Sequence, residues 1–293
     1  GEQGAPPATL DALLRDGCRF PMGPFELMDM IGHDVNFAVT RSVYDAYFGD
    51  KRFLPSLIQQ ELVLAGRLGR KSGRGFYNYA EGATKPAPDV VAPQPAPARV
   101  LIAGDLGPAA ALADRLATAG MTVDRTDGPG VLRIGDATLA LSDGRPATLR
   151  AAAEDTPNLV VFDLAFDYAT APRLAVAKAD SCTDVAFAAA VGALQAAGIA
   201  VSQLDDVAGL IGLRTVCMLA NEGADAVTQG VASAPDVDAA MKNGTNYPKG
   251  PLAWAAELGY ARVVAALENL CAHYGEERYR LSPWLRRQAA TQA

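Results

Sequence analysis

The sequence predicts a mainly α protein with a central α/β domain set between two helical domains. Three observations predict it. A Pro- and Ala-rich stretch, KPAPDVVAPQPAPA at residues 85–98, divides the chain. After it, short apolar runs alternate with Ala-rich segments, the pattern of strands interleaved with helices. The helical segments at the two ends also resemble each other at fixed spacing. The expected boundaries are a helical domain over residues 1–82, a linker over 83–98, an α/β domain over 99–205 and a second helical domain over 206–293.

The first helical region is punctuated by Gly and Pro. Pro24 follows Gly23 and opens a helix, because Pro at the first helical position loses no hydrogen bond. Gly32 suits its end. Asp34 is the expected cap of the next helix, whose Val35, Val39, Val43 and Ala46 share a face. A third helix is expected over residues 56–68. Alternating Pro and Ala favours extended backbone and builds no core, so residues 83–98 read as an inter-domain linker. Strands are expected at residues 99–104, 122–125, 131–134, 138–141, 159–163, 174–177 and 199–202, with an Ala-rich helix ending at Gly120. A long apolar helix follows over residues 210–228, and three more begin at Asp236, Pro251 and Tyr260.

Composition narrows the classes of function. The chain has 293 residues, about two domains at ~150 residues each. Half the residues are hydrophobic and 20% are charged, which excludes wholesale disorder. Asp plus Glu (33) exceed Lys plus Arg (26), and no basic run appears, so nucleic acid is not an expected partner. The most apolar stretch, residues 185–201, is mostly Ala and Gly with Gln195 inside it, and reads as helix, turn at Gly198, and strand rather than a membrane span. Four cysteines without a C-x-x-C pair predict no metal site and a reducing, cytoplasmic setting. Gly1 in place of Met predicts a processed product, a fragment or a trimmed chain.

The repeat is specific. Residues 11–32, DALLRDGCRFPMGPFELMDMIG, align without a gap with residues 238–259, DAAMKNGTNYPKGPLAWAAELG, at an offset of 227. Asp11 pairs with Asp238, Gly17 with Gly244, Phe20 with Tyr247, Pro21 with Pro248, Gly23 with Gly250, Pro24 with Pro251 and Gly32 with Gly259. FGDKRF at 48–53 resembles YGEERY at 274–279 with a one-residue slip. Gly and Pro at fixed offsets specify turn geometry, so one helical domain has been duplicated.

The aromatic-Pro-x-Gly-Pro turn, together with RKSGRGFYNY at 70–79, resembles the C-terminal helical domain of NAD-dependent 3-hydroxyacyl-CoA dehydrogenases of the bacterial 3-hydroxybutyryl-CoA or 3-hydroxyadipyl-CoA type. The resemblance implies two such helical domains around a degenerate Rossmann-like domain. It implies oxidation of a 3-hydroxyacyl-CoA to the 3-oxoacyl-CoA, with hydride passing to NAD, a His as general base and a Glu orienting it. Fatty-acid β-oxidation or phenylacetate degradation is the implied setting. In the family the NAD fingerprint, Ser, His and Glu lie in an N-terminal domain, and a substrate-holding Asn lies in the first helix after it. None of these precedes Gly1 here, so the chain reads as the C-terminal part of a longer enzyme, inactive alone.

The middle domain fails the same test. Its remnant of G-x-G-x-x-G is Ile102-x-Gly104-x-x-Gly107, with Pro108 behind it and Asp105 placing negative charge where a pyrophosphate belongs. Asp127 stands 20 residues after Gly107, the spacing of a ribose-binding acid, and reads better as a turn residue. Val176 stands where the family has its Glu, and Leu213 where it has its Asn. No NAD is therefore expected on this chain. His33 reads as an exposed loop residue, His273 as lying near a helix C-terminus, and Asn221 and Glu222 as interhelical hydrogen-bonding groups. Met22, Pro24 and Phe25 border the turn that the resemblance places beside the acyl group. Lys71, with Arg70 and Arg74, offers charge to CoA phosphates or forms a solvated loop. These are the candidate substrate contacts. Family members dimerise through the helical domain, so a homodimer or an intramolecular pseudo-dimer of the two copies is expected; repeats lying far apart would exclude the latter. A non-catalytic scaffold module, or an enzyme using the middle domain for a nucleotide, are the rival readings.

Overall fold

The computed structural model describes residues 2 and 4–291; Gly1 lies outside them. The first helical segment holds α1 (Pro7–Ala12), which widens into a further helical turn at Leu13–Gly17, then α2 (Pro24–Ile31), α3 (His33–Ala46) and α4 (Leu57–Leu64). The central part runs β1 (Arg99–Ala103), α5 (Leu112–Thr118), β2 (Thr122–Thr126), β3 (Val131–Ile134), β4 (Ala137–Leu141), α6 (Ala147–Ala153), β5 (Leu159–Phe162), β6 (Arg173–Lys178), α7 (Asp184–Ala196) and β7 (Ala200–Gln203). The last segment holds α8 (Gly212–Thr228), α9 (Ala234–Thr245), α10 (Pro251–Leu258), α11 (Tyr260–Tyr274) and α12 (Pro283–Thr291).

The seven strands form one mixed sheet in the order β2-β1-β3-β4-β5-β6-β7. Parallel pairs β1–β2, β4–β5 and β6–β7 are each joined by a helix, as a parallel connection requires. The pairs β1–β3, β3–β4 and β5–β6 are antiparallel. Val160, Val161 and Phe162 of β5 are all buried, as expected of a strand covered on both faces.

The expected linker is extended but not free. It covers the open edge of β7: Val91 N–H donates to the Val201 carbonyl at 2.8 Å, and Ser202 Oγ to the Asp89 carbonyl at 2.6 Å. Gln195 accepts from Gln94 N–H at 2.7 Å and donates to the Val91 carbonyl at 2.9 Å. Capping an edge strand removes a row of unpaired backbone groups.

The repeat is one local solution used twice. Gly23 and Gly250 stand at the caps of α2 and α10 and bring no capping side chain, and Pro24 and Pro251 have no N–H. The next two N–H groups need an acceptor. Asp11 supplies it from the preceding helix, accepting from Phe25 N–H at 2.8 Å and Glu26 N–H at 3.1 Å. Asp238 accepts from Leu252 and Ala253 N–H, both at 2.8 Å. A Cβ at Gly23 or Gly250 would overlap these carboxyl groups, which is why Asp, Gly and Pro recur together. Arg19 and Asn246, equivalent positions, share a left-handed backbone (φ 60° and 58°), as do Gly32 and Gly259 (φ 102° and 86°).

Two expectations change. The third helix stops at Leu64 rather than residue 68, because Gly66 and Gly69 take positive φ (68° and 94°) and turn the chain back. The helix after Gly32 starts at His33, and Asp34 binds Lys71 instead of capping it.

The copies touch through equivalent residues. Phe20 and Tyr247 meet edge to face, their centroids 5.4 Å apart. Arg52 donates to the Arg280 carbonyl at 3.2 Å, and Arg278 donates to the Leu54 carbonyl at 3.3 Å. The buried Arg52 side chain also binds Glu222 (2.7 Å) and Asp225 (2.6 Å) of α8.

Asp11 differs from Asp238 in two respects. It is buried and also accepts from the Tyr77 hydroxyl at 2.6 Å. Asp11→Ala is expected to lower unfolding free energy by about 2–3 kcal/mol, and Asp238→Ala by about 1 kcal/mol. Urea denaturation of the two variants checks this; a larger loss for Asp238→Ala would contradict the shared capping role.

Candidate functional site

The candidate substrate contacts do not converge. Pro24 is the first residue of α2, and Met22 lies in the turn before it. Phe25 stacks edge-on against Phe76, centroids 4.6 Å apart. It also lines an apolar cavity of about 300 Å³ with Leu10, Ile58, Val207, Leu210 and Ile211. Arg214 enters that cavity and donates to the Ala208 carbonyl and the Tyr274 hydroxyl, and pairs with Glu2. Lys71 is engaged elsewhere, bonded to Asp34 at 2.7 Å.

The segment at 70–79 folds around a buried carboxylate. Asp29 accepts from Phe76 N–H, Tyr77 N–H and the Tyr79 hydroxyl (2.9, 2.9 and 3.0 Å). A Cβ at Gly69 or Gly75 would strike Asp29, so the glycines of this motif serve close approach. His33 completes the cluster, with Nε2 2.8 Å from Asp29 Oδ1. This corrects the expectation of an exposed loop His. The sharp turn at Gly32 points the ring inward, onto Phe76 at 5.0 Å. A His–Asp pair suggests acid/base chemistry, but both side chains are fully enclosed, and a general base must reach its substrate. His273 is exposed in the last turn of α11, as expected. Asn221 bridges the Arg280 carbonyl and Ser282 N–H (2.9 and 2.8 Å), so it is an interhelical hydrogen-bonding group.

The remnant of the phosphate turn is closed by its own chain. Gly107 N–H, the donor a phosphate would take, donates to Asp105 Oδ1 at 2.8 Å. The loop at residues 127–130 crosses the end of β1: Gly130 N–H donates to the Ala103 carbonyl at 2.7 Å, and a Cβ on Gly104 would strike the Gly128 carbonyl. Asp127 sits exposed in that loop. β3 lies antiparallel beside β1, so the crevice between diverging parallel strands, where dinucleotides bind, is absent at this point. These residues do not fit a dinucleotide pyrophosphate. Val176 and Leu213, where the resemblance would place the family's Glu and Asn, are buried and apolar.

One group was not anticipated from the sequence. Asp163, just after β5, accepts from Ile211, Gly212 and Leu213 N–H (3.1, 2.6 and 2.9 Å) and caps α8. Burial pushes its carboxyl up to about 6, against the lowering effect of these N–H groups. Around it the segments meet: Cys18 Sγ donates to the Leu164 carbonyl, and Phe166 N–H to the Gly17 carbonyl. Phe166 packs on Trp254 at 5.4 Å, with Arg19 and Lys249 over its ring. An Asp just after an apolar run is a weak signal, since nothing local reveals that its partner is a helix start about 50 residues further on. No group of three metal-ligating side chains occurs among the described residues. Nor is any described helix long and apolar enough to cross a membrane.

The chain belongs to the 3-hydroxyacyl-CoA dehydrogenase family, a family of oxidoreductases. Residues 1–79 and 209–293 match the 3-hydroxyacyl-CoA dehydrogenase C-terminal domain, so the same domain recurs at both ends. Residues 139–207 match the reduced Rossmann-fold domain of 3-hydroxybutyryl-CoA dehydrogenase, a shorter span than the expected 99–205. The 3-hydroxyadipyl-CoA dehydrogenase of Escherichia coli (strain K12) is 43% identical over 289 residues, covering 98% of this chain and 55% of that protein. A crystal structure of 3-hydroxybutyryl-CoA dehydrogenase from Escherichia coli K12 superposes with a TM-score of 0.84 at 41% identity, covering 99% of this chain and 56% of that one. A probable 3-hydroxybutyryl-CoA dehydrogenase of Deinococcus radiodurans is 41% identical over 75 residues, 26% of this chain and 27% of that protein. The chain thus spans about half the length of the Escherichia coli relatives.

Burial separates the two histidines. Diethylpyrocarbonate on the folded chain is expected to modify His273 and leave His33 until denaturant is added, read by mass spectrometry of peptides. Equal rates on both would contradict the enclosed His33–Asp29 pair.

Proposed function

We propose that this chain is the C-terminal part of an NAD-dependent 3-hydroxyacyl-CoA dehydrogenase, which oxidises a 3-hydroxyacyl-CoA to the 3-oxoacyl-CoA. Its task is to complete the acyl-CoA cleft and to provide the assembly surface. The chemistry belongs to residues it does not carry, so it does not turn over alone. The 3-hydroxyadipyl-CoA and 3-hydroxybutyryl-CoA named for its relatives make a short acyl chain the substrate class. Four free cysteines, three of them buried, support a reducing, cytoplasmic setting.

The observation that carries this reading is where the polar groups are spent. Asp11, Asp163 and Asp238 hold helix starts, and Asp29 holds the 70–79 segment and His33. The phosphate turn of the middle part is occupied by Asp105. The carboxylates and His33 are therefore structural, and NAD belongs to the missing portion of the enzyme.

The same reading makes the two helical copies an intramolecular pseudo-dimer. Two-fold packing makes contacts reciprocal: if residue i touches j, then the equivalents touch in reverse. The Arg52–Arg280 and Arg278–Leu54 contacts support this, as does the meeting of the equivalent rings of Phe20 and Tyr247. The middle part with its linker then acts as a spacer that sets the two copies face to face.

Titration of this chain with NADH, followed by fluorescence, is expected to show no saturable binding. 3-Hydroxybutyryl-CoA and NAD are expected to give no turnover above background. Saturable one-to-one NADH binding would overturn the assignment and favour a nucleotide site in the middle part.

A further inference from the structure

Two residues of α7 stand out from its sequence. Gln195 is the one polar side chain in the apolar stretch 185–201, and Gly192 interrupts a helix otherwise rich in alanine. Glycine inside a helix is less stable than alanine, so its presence calls for a close approach by something else. Both residues meet the Pro- and Ala-rich strap. A Cβ on Gly192 would strike the Pro95 carbonyl oxygen. Gln195 gives its whole amide to the strap: Oε1 accepts from Gln94 N–H at 2.7 Å, and Nε2 donates to the Val91 and Ala92 carbonyls at 2.9 and 3.2 Å. Asp89, Val91 and Gln94 donate their N–H groups inward, to Thr9 Oγ1, the Val201 carbonyl and Gln195. Val90 and Ala92 N–H have no partner among the described residues. Val91 packs on the core of the sheet, whereas Val90 is 52% exposed. This alternation is that of a seated strand.

Three parts of the fold meet at Asp89, whose backbone is held on both sides. Its N–H donates to Thr9 Oγ1 of α1 at 2.9 Å, and its carbonyl accepts from Ser202 Oγ of β7 at 2.6 Å. Ser202 Oγ accepts in turn from Arg173 of β6 at 3.0 Å, and Arg173 binds Asp16, in the turn after α1, at 3.1 Å. The contacts run from the first helical copy through the strap and two strands and back to the first copy, a closed ring. Thr9 and Ser202 are fully buried, so opening the ring leaves polar groups without partners. The repeat offers a comparison. The equivalent of Thr9 in the second copy is Asp236, which is exposed and bonded to Ser233 at the start of its own helix. Thr9 therefore serves the strap rather than the helical domain as such.

We infer that residues 89–95 are a latch: their seating on β7 and α7 and the docking of the first helical copy on the sheet are one cooperative event, closed at Asp89. Releasing the strap loosens the first copy, and loosening the first copy releases the strap, because coupling between two sites acts equally in both directions. The latch stands on the packing of this chain and goes beyond the reaction proposed above.

Hydrogen exchange of the full chain, resolved to single amides by NMR, tests the latch from both ends. Asp89, Val91 and Gln94 amides are expected to show similar protection, with Val90 and Ala92 unprotected. Phe166 N–H, which donates to the Gly17 carbonyl at 2.8 Å, reports the docking of the first copy. Tyr77 N–H, held by Asp29 within that copy, is the reference. Gly192→Ala touches only the far end of the strap and by itself favours α7. It is expected to speed exchange at Val91 and Gln94 by about 10-fold or more, and at Asp89 and Phe166 by a comparable factor, with Tyr77 unchanged. Thr9→Val, which removes the acceptor of Asp89 N–H, is expected to do the same, Gln94 included. Effects confined to the neighbourhood of each substitution, with Phe166 protected in Gly192→Ala or Gln94 protected in Thr9→Val, overturn the latch. So does a rise at Tyr77 equal to that at Gln94, which marks general loosening. Wild-type exchange at Asp89, Val91 and Gln94 as fast as at Val90 and Ala92 overturns it too, because the strap is then a free tether.

Discussion

The structure depends on carboxylates delivered across the chain to helix N-termini. A helix that begins Gly-Pro cannot cap itself, since Gly has no side chain and Pro no N–H. α2 and α10 both begin so, and both receive an aspartate from the helix before. The aspartate fixes the angle between consecutive helices, and the glycine exists to let the carboxyl in. α8 is held in the same way by Asp163, and α6 by Asp206, which accepts from Thr148 N–H at 2.8 Å. In the last two cases the acid and the helix belong to different parts of the fold. These bonds therefore bind the sheet to the helical segments as well as starting helices.

That constraint shapes the functional reading. Buried acids and a His–Asp pair are the usual marks of a reaction centre. Here each carboxylate is satisfied by backbone N–H groups or hydroxyls, and His33 is sealed beneath Phe76. The phosphate turn shows the same economy: Asp105 takes the N–H that an anion would use, and residues 127–130 lie over the strand end. The middle part thus spends its turn on its own backbone, and in the proposed reading it spaces the two helical copies.

Much of the fold was legible in the sequence because it is written in turn chemistry. Gly23-Pro24 and Gly250-Pro251 mark helix starts without knowledge of tertiary contacts. The inner strand runs, Leu159–Phe162 of β5 above all, stand out because both-face burial demands unbroken apolar stretches. What stayed hidden depends on partners distant in sequence. His33 looks exposed until the positive φ of Gly32 turns it toward Asp29 and residues 76–79. Residues 83–98 look free until β7 offers them an edge. Of the candidate contacts, Phe25 lines a cavity, but Lys71 is drawn off by Asp34, 37 residues away, a pair that no spacing rule reveals.

The central claim is that the two copies are locked together across a common interface. The most direct test is a double-mutant cycle on Arg52 and Asp225, which belong to different copies and meet at 2.6 Å with the arginine buried. Breaking either partner alone leaves an uncompensated charge at the interface, so the account predicts a coupling energy of about 1–3 kcal/mol in urea unfolding. Additive losses, with no coupling between the two sites, would contradict it.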